Sequence, residues 1–348
     1  MKDQIRWGVI GAAGIANRRT IPEGILRAPQ ARLVAVADAD AARGRAVAEK
    51  YHVPYCATDR ALIDREDVDA VYIATPNDCH ASQAIAAMRR GKHVLCEKPL
   101  ALTLRDAESM VRESRRARVK LACGYMMRFH GAHRRIAELT RAGALGKLTL
   151  GRAQLTCWYP PIKGAWRQDP RRGGGGAFMD MGSHCVDLLE MFFGRVRRVH
   201  GAAARLVHRY RSEDTSLVLL EFRSGALAMV DNQFNVPDTA ARNRLELYGS
   251  LGSILCEGTI GQSPGGEVTI YQGSAAGGYA AAQDRSAPGR TELAYKQVNT
   301  YCAEIEDFSE AILQGRKPLV NAEEAVWNLK VCLAVYRSAR TGRTVEVS

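Results

Sequence analysis

The sequence predicts an α/β protein: an N-terminal doubly wound Rossmann domain followed by an α+β domain with an open, mostly antiparallel sheet. Two observations predict it. Over residues 5–123, near-continuous apolar runs alternate with helix-like segments, the pattern of a parallel sheet covered on both faces. Beyond about residue 125 strand-like runs follow one another across short turns with only a few helices between them, which suits an antiparallel sheet. The expected domains are 1–125 and 126–348, and 348 residues are enough to build two cores.

In the first half the strands read as IRWGVI, ARLVAVAD, DAVYIAT, KHVLCE and VKLACGY, and DAARGRAVAEKY, CHASQAIAAMRRG and DAESMVRESRRA read as helices. The second half opens with a helix in AHRRIAELTRAG and a strand in KLTLGRAQLTCWY. A glycine-rich loop leads into the helix AFMDMGSHCVDLLEMFFG. Strands follow in TSLVLLEFRSG, ALAMVDNQFNV, NRLELYGS, GSILCEG and EVTIYQG, and two helices close the chain. Residues 272–292, rich in Gly, Ala and Ser, are expected to form a mobile excursion.

Composition narrows the function. Hydrophobic residues at 46% and charged residues at 25% are ordinary for a globular protein. Nine scattered cysteines without a C-x-x-C pair fit neither a disulfide framework nor a zinc knuckle and suggest reduced thiols in a cytoplasmic protein. No apolar run is long enough to span a bilayer, so no membrane partner is expected. The formal charge of +12 is spread through helices and comes with no nucleic-acid motif; a solvated basic surface is expected, not a nucleic-acid partner.

The first strand runs into GVIGAAGIA, which sets Gly11, Ala13 and Ala16 on the three positions of G-x-G-x-x-G/A, with Gly14 and Ile15 completing the turn. In that fingerprint the glycines give a tight turn and a close backbone approach to a pyrophosphate, which meets the helix N-terminus. Asp38 ends the second strand 22 residues beyond Ala16, where a carboxylate can take the adenosine ribose hydroxyls. A helix N-cap is its structural alternative. No arginine follows Asp38 directly, and Arg43 is one helical turn on, so NAD is expected in preference to NADP.

A second cluster lies in GGGGAFMDMGSHCVDLLEMF. At i, i+4 and i, i+3 spacing, Asp180, His184 and Asp187 share one helix face, and carboxylates a turn from a histidine orient it as a general base requires. An idle surface histidine or a metal site is the alternative reading of these three residues. The four glycines at 173–176 are expected to give a ligand close access to the helix start. No metal is assigned.

GVIGAAGIA, ATPNDCH, HVLCEKPLA and GGGGAFMDMGSHCVD, in this order, resemble the glucose-fructose oxidoreductase and inositol dehydrogenase (Gfo/Idh/MocA) family of nicotinamide-dependent sugar oxidoreductases over almost the whole chain. The resemblance implies Lys98, Asp180 and His184 as the catalytic set, the histidine exchanging a proton with the reacting hydroxyl and the lysine stabilising its oxygen. It also implies Thr75, Pro76, Asn77, His80, Glu97 and Lys98 near the cofactor, and Arg128, Trp166 and Arg167 at its nicotinamide and substrate end. Ala13 stands where most members carry glycine. The implied activity is hydride transfer between NAD and a hydroxyl or keto carbon of a sugar, cyclitol or polyol, by a homodimer or homotetramer joined through the C-terminal sheet. An NAD-dependent glycosidase of the same family, or an NAD-binding sensor without catalysis, are the alternatives.

Overall fold

The computed structural model describes residues 3–273 and 289–348. Of the segment 272–292 expected as an excursion, residues 274–288 lie outside the described residues. The chain forms two compact units: Met1–Met126 with Asp169–Gly174 and Asn299–Lys330, and Met127–Gln168 with Gly175–Val298 and Val331–Ser348. A cut at residue 125 misses the two later segments of the first unit. Helix Thr300–Leu313 belongs there because Ile305 and Phe308 complete that unit's core: Phe308 packs 5.6 Å from the Trp7 ring, and Trp7 Nε1 donates to Ser309 Oγ at 3.2 Å.

The first unit is built on β1 (Ile5–Ile10), β2 (Ala31–Ala37), β3 (Tyr55–Cys56), β4 (Ala70–Ile73), β5 (His93–Cys96) and β6 (Leu121–Cys123), all parallel in the order β3-β2-β1-β4-β5-β6. The order reverses direction beside β1. Such a switch point opens a crevice at the carboxyl ends of the strands. The four residues of β4 are all buried, as expected of a strand covered on both faces.

The second unit carries β7 (Leu148–Thr156), β8 (Val196–Ala204), β9 (Thr215–Phe222), β10 (Leu227–Gln233), β11 (Arg244–Gly249), β12 (Gly252–Glu257), β13 (Glu267–Gln272), β14 (Gly289–Glu292) and β15 (Val345–Glu346). They form one sheet in the order β14-β13-β12-β11-β7-β10-β9-β8-β15, antiparallel except where β7 meets β10. Along β9, Val218, Leu220 and Phe222 are buried while Leu217 and Leu219 are exposed, the period of a sheet with one covered face. The covered face meets helix Ser183–Phe193, whose Phe193 ring stacks 5.1 Å from Phe222. Strand β8 escaped the sequence analysis because VRRVHGAAA holds only two large apolar residues, Val196 and Val199, both pointing inward.

Candidate functional site

At the end of β1 the backbone turns through Gly11, at φ +80°, into a π-helical segment, Ala12–Ile25. A Cβ on Gly11 would lie 2.6 Å from the Ala74 carbonyl carbon, so only glycine fits there. Gly14 departs from helical geometry, and a Cβ built on it would meet nothing within 4 Å. Ala12 and Ala16 are buried, as close packing of the helix on the sheet requires, whereas Ala13 and Ile15 are only partly covered. Asp38 turns toward this loop: its carboxylate accepts from Ala13 N at 2.8 Å and from Asp40 N at 3.0 Å. The N-cap of helix Ala41–Lys50 is Asp40, which accepts from Arg43 N, so Asp38 is released from the capping alternative. Arg43 reaches back, its Nη2 donating to Ala13 O at 2.9 Å.

After β4 and β5 the chain forms two loops that are stitched together. The buried His80 ring lies between Pro99 O at 2.9 Å and Thr75 O at 3.0 Å, and burial pushes its pKa down. Thr75 donates from Oγ1 to Gln83 Oε1 at 2.6 Å. Pro76 leads a short 3₁₀ turn in which buried Asn77 donates to Gly173 O at 2.9 Å, tying down the segment Asp169–Gly174 of the same unit. Glu97 extends β5 by one residue, N to Ile73 O at 2.9 Å, and Lys98 N then donates to Glu97 Oε2 at 3.3 Å. Beneath it the fully buried Tyr72 hydroxyl donates to Glu97 Oε1 and accepts from Thr20 Oγ1 at 2.9 Å. Burial holds that phenol well above its ordinary pKa, which keeps it a donor. Tyr72 and Thr20 went unnoticed in the sequence because an apolar strand hides a tyrosine as core.

In the second unit, Asp180 lies in a π-helical turn, Phe178–Gly182, that continues into helix Ser183–Phe193, where the sequence predicts a regular α-helix. Each carboxylate of the cluster carries an arginine. Arg167 Nε donates to Asp180 Oδ1 at 3.0 Å, and its guanidinium lies 4.2 Å from the centre of the Trp166 ring. Arg128 Nε donates to Asp187 Oδ2 at 2.8 Å, with side chains only 10% and 3% exposed, so this pair is a buried strut of the helix. His184 is buried between them in sequence. The glycine run corrects the expectation placed on it. A Cβ on Gly175 would stand 1.9 Å from the Tyr336 hydroxyl and one on Gly176 2.0 Å from the Glu213 carbonyl oxygen, so these two glycines make room for the protein's own Tyr336 side chain and Glu213 backbone.

The nucleotide turn fits a dinucleotide. The Gly11 bend, the open backbone at Gly14 and the helix start beyond it leave amide groups where a pyrophosphate is held. Residues 5–125 match the family model described as an oxidoreductase family with an NAD-binding Rossmann fold, and residues 133–255 match the GFO/IDH/MocA C-terminal domain. The chain belongs to the Gfo/Idh/MocA oxidoreductases. Within that family it is 32% identical to 1,5-anhydro-D-fructose reductase of Ensifer adhaerens, over 98% of each chain. It is 29% identical to myo-inositol 2-dehydrogenase of Thermotoga maritima, over 99% of this chain and 98% of that one. The structure of aldose-aldose oxidoreductase from Caulobacter crescentus, complexed with glycerol, superimposes with a TM-score of 0.87 at 28% identity over 99% of each chain.

Among the described residues, no helix is long and apolar enough to cross a membrane, and no group of three or more His, Cys, Asp or Glu side chains is placed to hold a metal ion. Among the described residues, none of the nine cysteines is joined in a disulfide.

Proposed function

We propose that this Gfo/Idh/MocA chain transfers a hydride between NAD and a hydroxyl or keto carbon of a sugar, cyclitol or related polyol, as a cytoplasmic homo-oligomer. The observation that carries it is the set of strand ends in the first unit. Gly11 after β1, Asp38 after β2, Thr75 after β4 and Glu97-Lys98 after β5 all stand at the carboxyl edge of one parallel sheet, where such folds bind ligands. The named sugar reductases and dehydrogenases among its relatives support the substrate class.

When bound, the nicotinamide accepts or returns the hydride. Lys98, Asp180 and His184 supply the rest. His184 takes the hydroxyl proton in oxidation and gives it back in reduction. The Lys98 ammonium hydrogen-bonds the reacting oxygen and stabilises its alkoxide character as the C–H bond breaks. Asp180, held by Arg167, orients the substrate through a further hydrogen bond. A panel of sugars and polyols assayed with NAD and with NADP, following absorbance of the reduced cofactor, tests this. Net reduced cofactor is expected with at least one polyol. Cleavage of a glycoside without net reduced cofactor would assign the chain to transient-redox hydrolysis instead.

A further inference from the structure

The helix that carries Asp180 and His184 is capped from a distance. A helix leaves its first amide N–H groups without intrahelical partners, and a neighbouring Ser, Thr, Asp or Asn usually serves one of them. Here no such residue precedes the helix, and four consecutive amides are served by two residues far away in sequence. Gly176 N donates to Glu213 Oε2 at 2.8 Å, Ala177 N to the Glu213 carbonyl at 3.1 Å, Phe178 N to Glu213 Oε1 at 3.0 Å, and Met179 N to the Tyr336 hydroxyl at 3.0 Å. Helical bonding then begins, Asp180 N to Gly176 O at 3.0 Å. Tyr336 hands its own hydrogen to Glu213 Oε1 at 2.7 Å, and its ring meets Phe178 edge-on at 5.7 Å. The neighbouring Ser212 grips the other partner of Asp180: its Oγ donates to Arg167 O at 3.0 Å and its N to Gln168 O at 3.4 Å.

One dipeptide thus fixes both ends of the Arg167–Asp180 pair. We propose that Ser212, Glu213 and Tyr336 are positioning residues for the reaction, setting the first turn of the helix so that Asp180 meets Arg167 and His184 keeps its aim. The proposal rests on the reading of Asp180 and His184 as catalytic. An ordinary cap stabilises a helix without concerning chemistry. This one ties Arg167 and the Asp180 turn to the same short segment, so loosening it shifts the two against each other, and a misplacement near 1 Å can cost about 100-fold in rate.

Tyr336→Phe removes the hydroxyl and keeps the ring, and Ser212→Ala cuts the link to Arg167. Each is expected to lower kcat on the productive polyol, the phenylalanine variant by roughly 10- to 100-fold, while KM for the nicotinamide cofactor stays at the wild-type value. Amide hydrogen exchange at 176–179 should quicken in Tyr336→Phe and stay unchanged in β10. Val268→Ala, a buried change in β13, serves as the control for lost stability at matched Tm. The proposal is overturned if Tyr336→Phe turns over at the wild-type rate, if it loses no more activity than the matched control, or if exchange at 176–179 is unaltered. A His184→Ala enzyme at full activity would instead overturn the catalytic reading, and the clamp's role with it; a dead His184→Ala beside an unimpaired Tyr336→Phe overturns the clamp alone.

Discussion

Arg167 holds Asp180 through an Nε–Oδ1 hydrogen bond of 3.0 Å while the same guanidinium lies over the Trp166 ring. The two side chains are 32% and 26% exposed, so solvent screens the pair and its share of stability is small, at most about 1 kcal/mol. Its value lies in aim. Lysine keeps the charge and loses both the planar fork and the stacking on the indole. Arg167→Lys is therefore expected to leave Tm near wild type and to lower kcat/KM for the polyol by about tenfold, equivalent to about 1.4 kcal/mol. Thermal melts beside steady-state kinetics check this.

Asp38 is expected to set the cofactor preference. Its carboxylate is braced by the amides of Ala13 and Asp40, which fixes a negative charge beside the nucleotide turn, and a 2′-phosphate would meet that charge. Arg43 works the other way, with its guanidinium on Ala13 O. NAD is expected to be preferred over NADP, Asp38→Ala to narrow the preference, and Arg43→Ala to widen it. Ratios of kcat/KM for the two cofactors decide it, and equal values in the wild type would refute the preference.

The same residue marks how much the sequence discloses. The places of Asp38, Gly11 and the EKP stretch at strand ends were legible because strand ends and tight turns constrain residue type locally. The clamp on the helix that carries Asp180 and His184 was not. Glu213 sits in an unremarkable SEDTS segment and Tyr336 in a helix where it passes for core, so their partnership with Gly176, Phe178 and Met179 exists only once distant segments meet. The tetraglycine run was visible and misread for that reason: glycine signals close approach without saying of what. Strand β8 was lost because its inward residues are too few to mark a period of two over its arginines and alanines.

His133 is expected to make the second unit acid-sensitive. The ring is fully buried, Nδ1 donating to Met127 O at 2.8 Å and Nε2 accepting from Thr259 Oγ1 at 3.2 Å, with the His130 ring 4.8 Å away. Burial pushes its pKa down to about 3. The unfolded chain therefore binds a proton that the folded chain refuses, and stability is lost as pH falls from about 6.5 toward 3, by about 1.4 kcal/mol per pH unit for this group. Urea titrations at pH 7 and pH 5 should show the fall, and His133→Leu should show a shallower pH dependence than wild type.

The outer face of the large sheet is expected to bind a second copy. Leu217, Leu219 and Leu227 are 49%, 53% and 53% exposed on adjacent strands β9 and β10, with Met229 paired to Leu219 between them. Exposed apolar residues rimmed by polar ones, here Glu221 opposite Leu227 and Asp231 opposite Leu217, mark an interaction surface, and a symmetric homo-oligomer is the commonest solution. Light scattering should give a multiple of the single-chain mass, and Leu217→Lys with Leu219→Lys should reduce it. A monomeric wild type at micromolar concentration would refute this.

In the proposed mechanism the chemistry rests on His184 and Lys98. General acid–base catalysis contributes roughly 10²- to 10⁴-fold, so His184→Ala should lower kcat by about that factor while the variant still binds NADH, as followed by cofactor fluorescence. Lys98→Met should behave alike, because it keeps the length of the side chain and removes the charge that stabilises the reacting oxygen. Oxidation needs a neutral imidazole to accept the proton and reduction a protonated one to return it. The oxidative rate should therefore rise with pH, the reductive rate should fall, and both profiles should flatten in His184→Ala. Dialysis against a metal chelator should leave turnover unchanged. Loss of activity under the chelator, with His184→Ala and Lys98→Met close to wild type, would transfer the chemistry from these side chains to a bound metal ion.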